Sequence, residues 1–401
     1  MMATQPPVPG RQFPMRIHMV MNVLEILEAC PLYLQLLTLQ RQGLVELIEV
    51  PTEELANDRY GTWLDGAAHV LIRPKATIMH KNALRDVAPN CCVYVFGMGA
   101  ENITRHARDD IQIIRPDADN ADAVADLAVQ LASLSLRDIT GASDAITQGR
   151  TELDHLKHSS IGLEDCNWGC FGLGRQAAWL PEFLVGRFAR QITFYLPLMS
   201  KAKFDAFLQD SCRMCGAAQL ESIQIEADVF RFDISLPLLR TTRNLTLIGT
   251  SSRDIFTRES SIISLHVPLT TQPTSTRLAT AQMIDAAFLD EIRDKLLINT
   301  ARFGLFHVSD VLAALDRREI RLATDLLHPE AERTRDPLLC PLARFYRERG
   351  NAMLTRDGRF RLMLMTPHMG GTASRTYRLL AHGLLSHLYR NLGFNAEDNA
   401  A

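Results

Sequence analysis

Between an apolar run ending at Phe171 and a helical pattern lies Gly172-Leu173-Gly174-Arg175-Gln176-Ala177, a fit to G-x-G-x-x-A. This short spacing constrains the fold more than any other stretch, because it requires a strand entering it and a helix leaving it. The first glycine permits a tight turn, the second lets backbone approach a pyrophosphate, and the small third residue lets helix and strand pack closely. A phosphate would then sit against amide groups at the helix N-terminus. Glycine turns are common, so the motif takes its meaning from context. Asn167-Trp168-Gly169-Cys170-Phe171 precedes it and a helical stretch follows, with Pro181 as an unusual residue inside that helix.

The rest of the chain alternates in the same way. Arg16–Met21, Val45–Val50, Ala68–Arg73 and Cys92–Phe96 read as strands, and helical patterns lie on either side of Pro31. Strand and helix in alternation predict an α/β chain with parallel sheets. At 401 residues it exceeds a single typical core and should divide into two domains. Asn120-Ala121-Asp122 looks like the start of a long helix with an apolar face running to Leu136, and Ser374 to Leu392 is a Leu-rich helical tail.

Composition narrows the function classes. A formal net charge of -3 argues against a large basic nucleic-acid surface. No apolar stretch is long and uncharged enough to span a bilayer, and Glu25 and Glu28 interrupt the first apolar run, which speaks against a secretory signal. The eight cysteines lack small-scaffold spacing, so reduced thiols in the cytoplasm are expected. No nucleic-acid or membrane partner is expected, and the partner is a small molecule.

Beyond the glycine turn, chemistry-bearing segments follow in a fixed order. They are Ser264-Leu265-His266-Val267-Pro268-Leu269, Asn299-Thr300-Ala301-Arg302, Ala323-Thr324-Asp325-Leu326-Leu327-His328-Pro329-Glu330, and Met365-Thr366-Pro367-His368-Met369-Gly370-Gly371. Reducing a 2-oxo acid needs a carboxylate anchor, a hydride source and a proton donor. Arg302 offers paired donors for a carboxylate or an oxo group. His368 can carry a proton near neutral pH, and Glu330 would favour its charged form. Each residue alone has a plain alternative: a strand-end arginine is often a surface ion pair, and a histidine before two glycines is often a turn residue.

The second strand after the glycine turn ends at Thr193-Phe194-Tyr195-Leu196-Pro197, where a dinucleotide fold usually offers a carboxylate to the adenosine ribose. Here Leu196 is followed by Ser200, Lys201 and Lys203, which would tolerate or attract a 2′-phosphate, so NAD and NADP are both candidates. The alternative is that both lysines are solvated loop charges.

Together these segments resemble the D-isomer-specific 2-hydroxyacid dehydrogenases, the group that includes phosphoglycerate, glycerate, D-lactate, formate and phosphite dehydrogenases. The resemblance runs from about Leu71 onward. Gly97-Met98-Gly99-Ala100-Glu101-Asn102-Ile103 resembles the family's substrate loop, and Asn120-Ala121-Asp122-Ala123-Val124-Ala125-Asp126 resembles its interdomain helix start. The resemblance implies two Rossmann-like doubly wound parallel-sheet domains with a cleft between them. Residues 1–120 and 366–401 would form the substrate-binding domain around a nucleotide-binding domain, residues 121–365. It implies Arg302, Glu330 and His368 as catalytic residues, and Arg73, Met98, Gly99 and Arg302 as substrate contacts. Cofactor contacts would come from Gly172, Gly174, Arg175, Gln176, Leu196, Lys201, His266, Pro268, Thr300, Ala301, Asp325, Gly370 and Gly371, with Asp325 near the nicotinamide amide. A homodimer is implied as well.

The implied activity is NAD(P)-dependent interconversion of a D-2-hydroxy acid and its 2-oxo acid. Phosphite-type oxidation uses the same trio. The reading from a different class is a dinucleotide-binding sensor or scaffold that kept the fold and lost turnover. Departures motivate it. An insertion is expected near 204–245, containing strands at Ile223–Glu226 and Val229–Phe232, and a further lengthening lies between Pro337 and Met365. Phe303 stands where the family usually has glycine, and His307-Val308 replaces its acidic pair. Cys212-Arg213-Met214-Cys215 with Cys166 and Cys170 could hold structural zinc, but small core residues are the plainer reading and no metal is expected.

Overall fold

The computed structural model describes residues 14–28, 30–52, 61–73, 82–97, 101–104, 107–116, 120–150, 161–187, 189–215, 219–225, 229–238, 241–274, 278–326, 340–371 and 374–394. The chain divides into two compact units, Met1–Asn120 with Thr372–Ala401, and Ala121–Gly371.

Among its described residues the first unit carries five strands: β1 (Met15–Val20), β2 (Val45–Val50), β3 (His69–Ile72), β4 (Cys92–Val95) and β5 (Gln112–Ile114). They pair in the order β2-β1-β3-β4-β5, all parallel. Their apolar runs are covered on both faces, as a parallel sheet requires. Ile17, Met19, Leu71 and Tyr94 face one core, which the helices Pro31–Arg41 and Ser374–Leu392 complete. Val20, Val70, Ile72, Val93 and Val95 face the other core, with Leu84 and Ile103. The C-terminal helix is tied in by side chains too: Tyr389 donates to the carbonyl of Leu32 at 3.0 Å, and Asn391 donates to the Tyr94 hydroxyl at 2.9 Å.

The second unit holds β6 (Trp168–Phe171), β7 (Gln191–Tyr195), β8 (Gln219–Ile225), β9 (Val229–Leu238), β10 (Thr241–Thr250), β11 (Ile262–Leu265), β12 (Leu296–Asn299), β13 (Arg321–Thr324) and β14 (Met363–Met365). Their order is β14-β13-β12-β11-β6-β7-β10-β9-β8. Leu296 and Ile298 point to a core filled by the helices Ala121–Arg137, Arg175–Val185 and Lys201–Cys215. Leu297 points to the opposite core, with Phe288, Val311, Leu315 and Phe345 from the helices on that side. Each such fully buried aliphatic side chain contributes about 1.5–3 kcal/mol relative to exposure.

The stretch from Phe204 to Leu245 holds most of the helix Lys201–Cys215, then β8, β9 and the first half of β10. The helix Lys201–Cys215 packs on the β9 side of the sheet, through Phe204 against Phe230 and Phe232. β10 is a parallel neighbour of β7, Thr246 to Thr250 standing beside Gln191 to Tyr195. What extends the sheet is the antiparallel pair β8 and β9, with β9 also antiparallel to β10. Pro181 does lie inside the helix Arg175–Val185, buried, and it withholds one amide hydrogen from the turn before it.

Candidate functional site

Seven parallel strands of the second unit end at one level. Thr250, Tyr195, Phe171, Leu265, Asn299, Thr324 and Met365 are successive register partners across the sheet. The next residue on six of these strands is therefore Leu196, Gly172, His266, Thr300, Asp325 or Thr366. Backbone hydrogen bonds continue one step past the row: Gly172 N–H to Tyr195 O at 3.0 Å, His266 N–H to Phe171 O at 2.9 Å, Asp325 N–H to Asn299 O at 3.2 Å, and Thr366 N–H to Thr324 O at 3.0 Å. From β6 the chain runs outward through β7 to β10, then returns to the other side of β6 with β11. That reversal is the topological switch point at which doubly wound sheets bind ligands, beyond the C-terminal ends of the strands.

The glycine turn stands at this switch. Gly172 has φ +123°, and a Cβ there would lie 2.5 Å from the carbonyl oxygen of His266. Both facts exclude any larger residue. Gly174 differs: its nearest neighbour for a Cβ is the same oxygen at 3.6 Å, so the protein itself leaves that space open. It caps the helix Arg175–Val185 with no side-chain hydrogen bond to the first amides. An open space beside the first helical amides fits a pyrophosphate. Arg175 is exposed at the first helical position and Gln176 is half-buried beside it.

His266 is buried, and burial lowers its pKa to about 4, so the ring is neutral across the physiological range. Its Nε2 is 3.0 Å from the Ser264 hydroxyl and its Nδ1 is 3.4 Å from Gln176 Oε1. Trp168 Nε1 donates to the same hydroxyl at 2.7 Å. His266 thus ties the end of β11 to β6 and to the helix that follows the glycine turn. Pro268 is exposed, and its carbonyl accepts from the Thr280 hydroxyl at 2.6 Å.

Asn299 organises the next segment. Its side chain accepts from Ala301 N–H at 3.0 Å and donates to Arg302 O at 2.9 Å, which folds Thr300-Ala301-Arg302 over the end of β12. Arg302 is half-buried, in extended backbone at φ −145°, with Nη1 donating to Ala301 O at 2.8 Å. The Thr300 hydroxyl is buried and has no hydrogen-bond partner among the described residues. An orphaned polar atom at this end of the sheet fits a polar group of a bound molecule, such as a carboxamide. Phe303 turns into the core and meets Phe306 edge-on at 6.1 Å between ring centres.

Asp325 and His368 follow the neighbouring strands. Asp325 is 2% exposed and accepts from Thr366 Oγ1 at 2.6 Å, Met369 N–H at 2.8 Å and Gly370 N–H at 2.7 Å. His368 is half-buried at φ +58°, and Gly371 is half-buried beyond Gly370. Glu330 and His328 lie outside the described residues, as do Met98 and Gly99.

At the end of β7, Leu196 is half-buried and accompanied by cations with partners of their own. Lys201 opens a helix rather than a loop and pairs with Asp205 at 2.5 Å, and Lys203 Nζ donates to Leu198 O at 3.0 Å. His307 caps the helix Val308–Asp316 and lies 2.9 Å from Asp310. In the first unit, Arg73 Nη2 donates to Tyr377 Oη at 2.5 Å and its guanidinium stacks over that ring. Cys166 and Cys170 are buried at either end of the β6 segment, and among the described residues no group of three or more His, Cys, Asp or Glu side chains could hold a metal. Among the described residues no helix is long and apolar enough to cross a membrane.

The sequence alone does not single out the side chains of Asn299, Ser264, Thr366 and Tyr377. Asn299 left a trace, since an asparagine at the last position of an apolar strand can both donate and accept around the turn that follows. The other three depend on which strands and helices become neighbours.

Residues 240–370 match the family described as D-isomer specific 2-hydroxyacid dehydrogenase, NAD binding domain. No curated protein matches the chain. Solved structures with the same fold include the apo D-lactate dehydrogenase from Escherichia coli, at 15% identity, covering 96% of this chain and 100% of that one with a TM-score of 0.60. D-lactate dehydrogenase with NAD+ from Lactobacillus jensenii is 17% identical, covering 96% and 98% at a TM-score of 0.59. A formate dehydrogenase from Granulicella is 17% identical, covering 90% and 80% at a TM-score of 0.60. The family match supports the resemblance read from the sequence, and the structural likenesses give two Rossmann-like domains.

Proposed function

We propose that this chain, whose residues 240–370 match the NAD-binding domain of the D-isomer specific 2-hydroxyacid dehydrogenases, interconverts a D-2-hydroxy acid and its 2-oxo acid. The observation that supports this most is the common end row of the strands. Past it stand, in spatial order, the glycine turn, His266, the Thr300–Arg302 turn, Asp325 and the His368 turn. With strands about 4.8 Å apart, a dinucleotide stretched from Gly174 toward Asp325 crosses a few strand ends.

In the reducing direction Arg302 would hold the carboxylate and the oxo oxygen by paired donors. A dinucleotide bound along the strand ends would supply the hydride for C2. His368 would give its ring proton to the oxygen as charge develops there, so hydride and proton together convert the C=O into CH–OH. Glu330 would favour the charged ring. Arg73, Met98 and Gly99 are proposed as substrate contacts, and Leu196, Pro268, Ala301, Gly370 and Gly371 as cofactor contacts.

NAD is the proposed cofactor. What supports it over NADP is that Lys201 and Lys203 already have partners in Asp205 and the Leu198 carbonyl, although exposed pairs of this kind are weak. The test is loss of nicotinamide absorbance with NADH and with NADPH, each offered a panel of 2-oxo acids. Faster consumption of NADH is expected. Faster consumption of NADPH would overturn the cofactor assignment, and no consumption with either would overturn the activity.

A further inference from the structure

Asp325 stands one residue past the end of β13, and the turn after β14 wraps around its carboxylate. One oxygen accepts from the Thr366 hydroxyl at 2.6 Å and from Met369 N–H at 2.8 Å, and the other accepts from Gly370 N–H at 2.7 Å. Between these donors lies His368, in the left-handed region at φ +58°, with its own N–H bonded to Thr366 O at 3.0 Å. A non-glycine residue in that region is uncommon and persists only where its surroundings hold it. Pro367 and Met369, on either side of His368, are both exposed. Gly370 shows how tightly the turn is drawn in: a Cβ there would lie 3.2 Å from Asp325 Oδ2 and 3.2 Å from Leu127.

We propose that Asp325 is a positioning residue for His368, clamping the Thr366–Gly370 turn so that the imidazole is held at one orientation past the strand row. The proposal rests on the reading of His368 as the proton donor. It gives Asp325 a task separate from contact with the nicotinamide amide. A buried carboxylate suits the clamp better than a neutral side chain, because charge-assisted acceptors form the stronger bonds and it can serve several donors at once. Asparagine keeps the size, but its NH2 group would face one of the three donors.

The test uses Asp325→Asn together with Thr366→Val and Thr366→Ser in the full chain. Amide exchange at Met369 and Gly370 is measured in the free protein, then NADH binding by fluorescence, then kcat and KM. Asp325→Asn is expected to speed exchange at both amides and to lower kcat by about 100-fold, as misplacement of a reacting group by about 1 Å does. NADH binding should fall by a smaller factor than kcat, because at most the one contact to the nicotinamide amide is altered. Thr366→Val should show a smaller loss of the same kind, and Thr366→Ser, which keeps the hydroxyl, should restore it. Unchanged exchange at Met369 and Gly370 would overturn the clamp. So would weakened NADH binding with kcat intact, which would make Asp325 a cofactor contact only. If Asp325→Asn does not fold, the Thr366 pair decides alone: equal kcat in Val and Ser variants overturns the proposal. If the wild type turns over no 2-oxo acid, the proposed activity fails while the exchange measurement still judges the clamp.

Discussion

Gly172→Ala and Gly174→Ala differ by one methyl group each and should fail in opposite ways. At Gly174 the new Cβ would find nothing closer than the His266 carbonyl at 3.6 Å, and the backbone there is ordinary for alanine at φ −79°. The folded chain should therefore lose no more than about 1 kcal/mol. The methyl group would instead occupy the space proposed for the pyrophosphate. Losing one charge-assisted hydrogen bond costs about 1.5–3 kcal/mol, which weakens NADH binding by about 10- to 150-fold. At Gly172 the Cβ would sit 2.5 Å from the same carbonyl oxygen, at φ +123°. The backbone strain alone costs about 1–3 kcal/mol, and the overlap with a fixed backbone atom adds to it. The assays are urea unfolding and NADH fluorescence titration on both variants. Gly174→Ala with wild-type NADH affinity would refute the reasoning about the turn, and Gly172→Ala with wild-type stability would refute the geometry.

Three further outcomes follow from the side chains behind the strand row. His266 has its pKa lowered from 6.5 to about 4 by burial, so the unfolded chain binds a proton in that window and the folded chain does not. Its contribution to stability falls as pH drops from about 6.5 to about 4, by about 3 kcal/mol, and His266→Gln should flatten the stability–pH curve there when both proteins are unfolded in urea. Asn299→Ala removes both side-chain bonds that fold the Thr300–Arg302 turn, so catalytic efficiency should fall at least about tenfold, measured as kcat/KM, with stability down by about 1–3 kcal/mol. Phe303→Ala empties a site in the core rather than opening a loop, and should cost about 3–5 kcal/mol in denaturant unfolding.

Much of this architecture is legible in the residues themselves. Val45–Val50 and Cys92–Val95 are short apolar runs bounded by breakers, and such runs in a chain with intervening helical patterns make parallel strands covered on both faces. Gly172 is legible because only glycine tolerates its φ, and Arg302, Asp325 and His368 because each follows a strand. Partnerships across the sheet are not legible. Nothing local says that Thr366 reaches Asp325, or that Tyr377 receives Arg73. Phe303 reads as an oddity in the sequence and as a core residue in space, because its burial depends on Phe306 and Leu305 in the short turn that follows. Likewise β8 and β9 read as strands from their composition, while their antiparallel place at the sheet edge depends on β10 pairing with β7 first.

The most direct test of the central claim is turnover by His368→Asn beside the wild type, with NADH binding measured on the same samples. The account predicts that the variant binds NADH as the wild type does and loses nearly all reduction of the 2-oxo acid that the wild type consumes. Equal turnover in the two proteins would contradict it, since the proton would then come from elsewhere.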